Sequence, residues 1–499
     1  MDRYIDRNMY LNIRNNYKNK LLLKYRIHKN NKIIIERFIN KEYITLNYKL
    51  DDKQKTSIVT DEVNTLLLAG AGTGKTLTIV GKVNYLIEKL NIKEDEILCI
   101  SFTNNTVNQL KEKIKYNVDI FTFHKLAIEI ISDYKYFYNI SSSDYLEYMT
   151  KEIFLSICKN SNEKIIDSLV KTIINFINLY KVNDYDDEYI DKIIKKNNNK
   201  ILLVIRDVMN FYYNELKSQC MYDFNDLINY ASVLIKERGL KRYYKYIIID
   251  EYQDISNTRF ELIRLIKESC SSKIFAVGDD YQSIYRFAGS NIDMIVKFKK
   301  YFGYTKIIKL NNTYRNSNEL LLVAKKFIMK NKYQINKKLI SNKSIKKPIK
   351  IIYYKKNQVI KLKKILDNEN KYLILSRNNY DINLLIDKDI VIEEDSIIYN
   401  NKKYEYKSIH KSKGLEEDNV IILNMSNDYN GFPSKKVDEV SKLLQKKERY
   451  LYEEERRLFY VALTRTRNYV YLLVDKEKPS IFIKELFSNS RKYIEVIYL

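Results

Sequence analysis

The chain has 499 residues, 45% of them hydrophobic, and a formal net charge of +25 from 88 basic and 63 acidic side chains. That length exceeds one core and implies roughly two to four domains, while no apolar run reaches the roughly 20 residues that span a bilayer, so no membrane is expected and the location is expected to be cytoplasmic. The four cysteines (Cys99, Cys158, Cys220 and Cys270) have no metal-ligand spacing and form no close pair, which argues against a zinc site or a disulfide framework.

Residues 1–49 are polar, basic and aromatic and read as an N-terminal helical accessory segment. From 50 to 125 strand and helix alternate: strands are predicted at 64–69, 97–102 and 118–122, and a helix from Lys75 to Leu90. Residues 126–220 read as a helical insertion, with Ile165, Leu169, Ile173 and Phe176 at three- and four-residue spacing. The strand series resumes within 221–304, at 245–250 and 273–278. A second series over 305–480 has strands at 306–310, 349–354, 372–376, 419–424 and 468–474, and helices at 318–330 and 439–463. Residues 481–499 read as a C-terminal tail. The βα alternation predicts an α/β protein with two parallel sheets. The excess charge would suit a polyanion, but the abundance of Lys, Asn, Ile and Tyr beside 10 Gly, 3 Pro and no Trp is the mark of AT-rich coding, so charge alone decides little.

Ala69-Gly70-Ala71-Gly72-Thr73-Gly74-Lys75-Thr76 follows the apolar run Thr65-Leu66-Leu67-Leu68. Glycines at this spacing let backbone N–H groups turn toward phosphate oxygens, and the following helix adds its positive end. Lys75 is the expected ligand of the terminal phosphates and Thr76 of Mg²⁺. Ile247-Ile248-Ile249 delivers Asp250 and Glu251. A carboxylate at such a strand tip holds Mg²⁺ and its neighbour can take a proton from water. A nucleoside triphosphate and Mg²⁺ are therefore the expected substrate and ion.

Further motifs occur in order: Leu50-Asp51-Asp52-Lys53-Gln54, Ser101-Phe102-Thr103-Asn104, Thr122-Phe123-His124, Asp223-Phe224-Asn225-Asp226-Leu227, Asp250-Glu251-Tyr252-Gln253-Asp254, Gly278 to Phe287, Asn311-Asn312-Thr313-Tyr314-Arg315, His410 to Glu416, Gly431-Phe432-Pro433-Ser434, and Glu453 to Arg467. With them the chain resembles the UvrD/Rep type of superfamily 1 DNA helicase, most of all its helicase IV branch, over roughly 35–475. The resemblance implies two RecA-like P-loop domains, with a helical insertion in the first and little or none in the second, since only about 30 residues separate Asn378 from His410. It implies that Gln54 reads adenine, Tyr314 stacks on it and Glu416 binds ribose. Gln282 would sense the γ-phosphate, with Arg315 and Arg465 as arginine fingers. Phe102, Thr103, Asn104, Thr122, Phe123, His124, Tyr285, Phe287 and His410 would contact the tracked strand, with Phe287, Phe102 and Phe123 as stacking platforms. The implied activity is ATP-driven 3′→5′ movement on single-stranded DNA, with tailed or forked duplexes as substrates, in repair or replication restart, by a monomer. The other reading that the resemblance leaves open is remodelling of a protein partner such as RNA polymerase.

Overall fold

Runs such as Leu66-Leu67-Leu68 and Ile247-Ile248-Ile249 offer no polar face, and both are buried throughout, as central strands of a parallel sheet covered by helices must be. The computed structural model describes residues 4–15, 17, 19–41, 49–134, 138–142, 144–157, 163–197, 199–436 and 438–498. Its first sheet holds β1 (Asn64–Ala69), β2 (Ile97–Ser101), β3 (Asp119–Thr122), β4 (Tyr246–Ile249), β5 (Lys273–Gly278) and β6 (Lys306–Leu310). They lie in the order β3-β2-β4-β5-β1-β6, every neighbouring pair parallel. This arrangement is consistent with the RecA-like P-loop fold. The turns after β1, β4 and β5 leave one edge of the sheet side by side, where open α/β sheets bind ligands.

The boundary expected at 305 is corrected by β6. It pairs with β1 from Thr65 opposite Lys306 to Ala69 opposite Leu310, because Ile308 and Leu310 share one core with Leu67 and Ala69. The start of the helical block is corrected too. Helix Phe123–Ser132 packs Leu126, Ala127, Ile130 and Ile131 into the core beneath the first sheet. A separate core is formed by helices Tyr145–Ile157, Glu163–Val182, Asp187–Asn197 and Lys200–Ser218.

The second sheet comprises β7 (Ile349–Tyr354), β8 (Tyr372–Ser376), β9 (Ile390–Glu393), β10 (Ser396–Tyr399), β11 (Lys402–Ser408), β12 (Glu417–Met425), β13 (Thr466–Asp475) and β14 (Ile494–Ile497). The order is β9-β10-β11-β8-β12-β13-β7-β14. Only the β9–β10 and β10–β11 pairs are antiparallel. The expected tail is therefore corrected: helix Ile481–Ser490 buries Phe482, Ile483 and Leu486 against the sheet, and β14 pairs in parallel with β7.

The helix predicted over 439–463 is realised only from Glu453 to Leu463, after a short turn of helix at Ser441–Leu444. Leu444 is drawn into the core of the helical block. Lys446 and Arg449 then pair with Asp293 of the first domain, at 3.0 and 3.1 Å. Tertiary partners thus override a helical propensity that is only a weak bias. Within the N-terminal segment, helices Arg7–Asn15 and Lys20–Lys41 are formed, and Phe38 packs with Leu50, Ile58, Val59 and Tyr85. Residues 42–48, which complete that segment, lie outside the described residues, as does Cys158.

Candidate active site and nucleic-acid interface

The loop after β1 is held from three sides. Gly72 and Gly74 adopt positive φ, at 69° and 79°, and neither has room for a side chain. A Cβ on Gly72 would lie 2.6 Å from Arg315 Cβ, and one on Gly74 would lie 2.4 Å from Gln54 Nε2. Gln54 donates to the Thr73 carbonyl at 3.0 Å, and it also closes a capping box with Asp51. Thr313 Oγ1 donates to the Ala71 carbonyl at 2.8 Å, and the Tyr314 N–H to that of Gly72 at 2.9 Å. With its carbonyls thus engaged, the loop that runs from Ala69 and Gly70 to Lys75 and Thr76 is backed by protein along its length. Tyr314 leaves its ring 65% exposed beside Gln54's helix, its hydroxyl 3.2 Å from Asp51.

Lys75 Nζ lies 3.1 Å from Glu251 Oε1, so the turn after β4 does meet the loop. Glu251 has φ +50°, a left-handed turn that separates its side chain from that of Asp250. The two carboxyls differ in character. Burial and the neighbouring Glu251 push the Asp250 carboxyl well above its usual range. Burial also pushes Glu251 upward, but Lys75 and Lys413 outweigh it and hold that carboxyl well below its usual range. Lys413 comes from the second domain and reaches both Glu251 and Asp254. Asp254, behind them, is pushed up to about 6, chiefly by burial.

Gln282 follows β5. Its Nε2 donates to Asp279 at 2.6 Å, and its Oε1 accepts from Arg465 Nη2 at 3.0 Å. Arg465 follows helix Glu453–Leu463 of the second domain, just past its C-cap Thr464, and is buried. Burial first, and Arg315 second, pull it down to about 9, which still leaves the guanidinium charged at neutral pH. Arg315 is ion-paired with Glu416, and Glu416 also receives Arg467 at 2.9 Å. Lys75, Glu251 and Gln282 are thus brought together with Arg315, Glu416 and Arg465 where the two sheet domains meet. Sequence reasoning missed Lys413, Gln253 and Asp254 here, although all three stand inside quoted motifs.

The expected strand contacts divide. Phe287 is 54% exposed, edge-on to His410 at 5.2 Å, and Tyr285 donates its hydroxyl to the His410 carbonyl at 3.1 Å. Thr103 and Thr122 cap helices through their hydroxyls, and Asn104 is exposed. Phe102 is partly exposed with the Arg259 guanidinium 5.1 Å above its ring. The expectation of Phe123 as a stacking platform is corrected. At 2% exposure it is a core side chain, wedged edge-on against Phe102. His124 instead lines an open cleft of about 520 Å³ with Phe224, Arg259 and Phe287. Phe224 and Arg259 were not foreseen, though Phe224 stands in the motif Asp223 to Leu227. The carboxylates of that motif are structural: Asp223 and Asp226 cap their helix and bind Lys181 of the helical block at 2.6 and 2.8 Å.

Comparison with known proteins assigns both halves of the chain. Residues 50–303 match the family model of the UvrD/REP helicase N-terminal domain, and residues 383–477 that of the UvrD-like helicase C-terminal domain. DNA helicase IV of Escherichia coli is 28% identical, over 88% of this chain and 70% of its own length. The ATP-dependent DNA helicase Rep of Buchnera aphidicola is 30% identical, over 76% of this chain and 62% of its own. A probable DNA helicase II homolog of Mycoplasma capricolum is 30% identical, over 60% of this chain and 44% of its own. The first-domain match alone covers half the chain and the second takes in β12 and β13 of the other sheet: the chain belongs to the UvrD/REP helicase family.

Proposed function

We propose that the protein is an ATP-dependent DNA helicase core that moves 3′→5′ along single-stranded DNA. The observation that carries the reading is the split of the charged set across the cleft: Lys75, Glu251 and Gln282 on one sheet domain, Arg315, Lys413, Glu416 and Arg465 brought to them beside the other. Lys75 leaves Glu251 for the terminal phosphates, and Arg315 leaves Glu416, which turns to the ribose. Gln54 and Tyr314 hold the adenine. Glu251, relieved of Lys75, becomes basic enough to accept a proton from the attacking water. Arg315 and Arg465 stabilise charge on the transferring phosphoryl group.

Thr76 and Asp250 offer the hard oxygen donors that Mg²⁺ takes. Among the described residues no group of three or more His, Cys, Asp or Glu could hold a metal alone, which fits an ion bound mainly by phosphate and water. Bound there, Mg²⁺ would neutralise charge on the phosphate oxygens. The arginines complete the site only when the cleft is closed, and loss of the γ-phosphate removes their purchase. Hydrolysis is thereby converted into relative movement of two domains.

The cleft lined by His124, Phe224, Arg259 and Phe287 would take the strand, by stacking and phosphate contact without sequence readout. We read the helices between 145 and 218 as an insertion in the first domain, and 379–409, which forms β9 to β11, as too small for a second-domain counterpart. The proposed protein is thus a compact motor in repair or replication restart. Steady-state ATPase with and without single-stranded DNA tests the reading, followed by unwinding of 3′-tailed against 5′-tailed duplexes. Stimulation by DNA and a preference for the 3′ tail support it. ATPase indifferent to DNA would overturn it in favour of a protein partner.

Two predictions concern the strand. Phe287→Ala should weaken single-stranded DNA binding by about 1–3 kcal/mol, the worth of one stacked base, and leave the salt slope unchanged, since no phosphate contact is lost. An unchanged affinity in a fluorescence titration would remove Phe287 from the interface. The second is a pH effect. Burial and then Arg259 pull His124 down to about 4, and burial with Arg377 and Lys413 pulls His410 down to about 3. Both imidazoles are therefore neutral throughout pH 6–8, and His124→Gln and His410→Gln should keep wild type's pH profile of DNA affinity. A protonated histidine on phosphate would instead give wild type a loss of affinity as pH rises, absent from its variant.

A further inference from the structure

Lys337 lies outside every motif that the sequence singled out, yet it is one of the most enclosed cations in the chain. Its side chain is fully buried, as are those of its partners Asp279 and Asp280, and its ammonium sits 3.7 Å from the centre of the Tyr281 ring. A buried ammonium is costly unless paired, so this cluster is built around it. Asp280 is independently anchored by Gln334 Nε2 at 2.8 Å and by the Ile335 N–H at 2.7 Å. Asp279 has its Oδ1 on Lys337 and its Oδ2 on Gln282 Nε2, at 2.6 Å. The Gln282 amide is thereby fixed with its oxygen toward Arg465. The Asp279 N–H meets Gln253 Oε1 at 2.9 Å, and Gln253 in turn donates to Glu251.

The segment that carries Lys337 also touches the phosphate loop. Leu339, two residues on, occupies the space beside Gly70, where a Cβ would lie 2.7 Å from its Cδ1. Ile340 exchanges backbone hydrogen bonds with Asn311 and Thr313, in the segment between β6 and Arg315. One short stretch therefore contacts the loop after β1, the Arg315 segment and the Asp279–Gln282 pair.

We propose that Lys337 is a positioning residue: through Asp279 it holds the Gln282 side chain in the orientation that meets Arg465 across the cleft. Without the ammonium, Asp279 Oδ1 keeps the Tyr281 N–H, at 3.2 Å, but loses its charged tether, and the carboxylate no longer presents Oδ2 as a fixed acceptor that sets which end of the Gln282 amide faces Arg465. The role rests on the functional reading above for its consequence in turnover, but not for the geometry.

The test is the double variant K337M/D280N, which keeps the net charge of the cluster at minus one and avoids leaving two bare carboxylates in the core. In DNA-stimulated ATPase it should lose about tenfold or more in kcat with KM for ATP changed less than about threefold, and K337R should recover part of that loss. In a Q282A background the double variant should cost little further, because both changes act through one side chain. Loss that is additive in that background, or that falls on KM alone, would overturn the proposal. A crystal structure of K337M/D280N supplies a readout that needs no turnover. Gln282 turned away from Arg465 supports positioning by Lys337, and a retained Gln282–Arg465 hydrogen bond overturns it. An inactive wild type would count against the functional reading alone, because the crystallographic result stands apart from it.

Discussion

Lys75→Ala is expected to lower kcat for ATP hydrolysis by about 10³-fold or more, the scale on which removal of a charge aimed at a developing phosphoryl or oxyanion is felt. Lys75 opens the helix Lys75–Leu90 from Gly74 in the left-handed conformation, so its ammonium is placed by the loop and has only to leave Glu251 to reach a bound phosphate. The protein should still fold. Ala is a better helix former than Lys, and Glu251 keeps Lys413 and Gln253 as partners when Lys75 is gone, so the melting temperature should move by no more than a few degrees. A purified variant with wild-type melting and robust ATPase would sink the assignment of this loop. Lys75→Ala that fails to fold would instead mark the Lys75–Glu251 pair as structural.

What could be read from the chain, and what could not, follows from the range of the interactions. The loop from Ala69 to Thr76 and the pair Asp250–Glu251 are legible because each is one strand followed by one turn, and a strand with apolar residues on both faces can only be central in a sheet. The placement of β6 was not legible. Lys306-Ile307-Ile308-Lys309-Leu310 alternates as any strand might, and only its pairing with Thr65 to Ala69 shows which sheet it completes. The segment 439–452 failed for a related reason: its partners, Asp293 and the core around Leu444, are far away in sequence. Phe123 illustrates the limit for site residues. Its motif resembles that of Phe102, but Phe123 opens a helix that packs its apolar face into the core beneath the sheet, and it goes in with that face, whereas Phe102 follows β2 in a turn and stays partly exposed. Lys413 and Lys337 were hidden differently. A lysine among 88 basic residues carries no signal until its burial and partners are known.

Arg465→Lys is expected to be nearly as damaging as Arg465→Ala, with kcat reduced by about 10³–10⁵-fold, the range for a lost arginine finger. The argument is geometric. The guanidinium donates in three directions at once: Nε to the Val461 carbonyl at 3.1 Å, Nη1 to that of Leu415 at 3.3 Å and Nη2 to Gln282 at 3.0 Å. An ammonium on a shorter, flexible stem cannot reproduce that fork. The Val461 carbonyl keeps Thr464 as a donor, but the Leu415 carbonyl and Gln282 Oε1 lose theirs, at a cost of about 1–3 kcal/mol for each buried group left unsatisfied, so Arg465→Lys, which retains the charge and part of the donor set, is the cleaner variant. KM for ATP should change little, because the adenine and phosphate contacts proposed for Gln54, Tyr314 and Lys75 do not involve Arg465, and single-stranded DNA should still bind. The signature is therefore a variant that holds both ligands and does not turn over. If Arg465→Lys keeps wild-type kcat, Arg465 is a buried strut of the domain interface, and Arg315, whose only anionic partner among the described residues is Glu416, becomes the arginine positioned to move onto the phosphate.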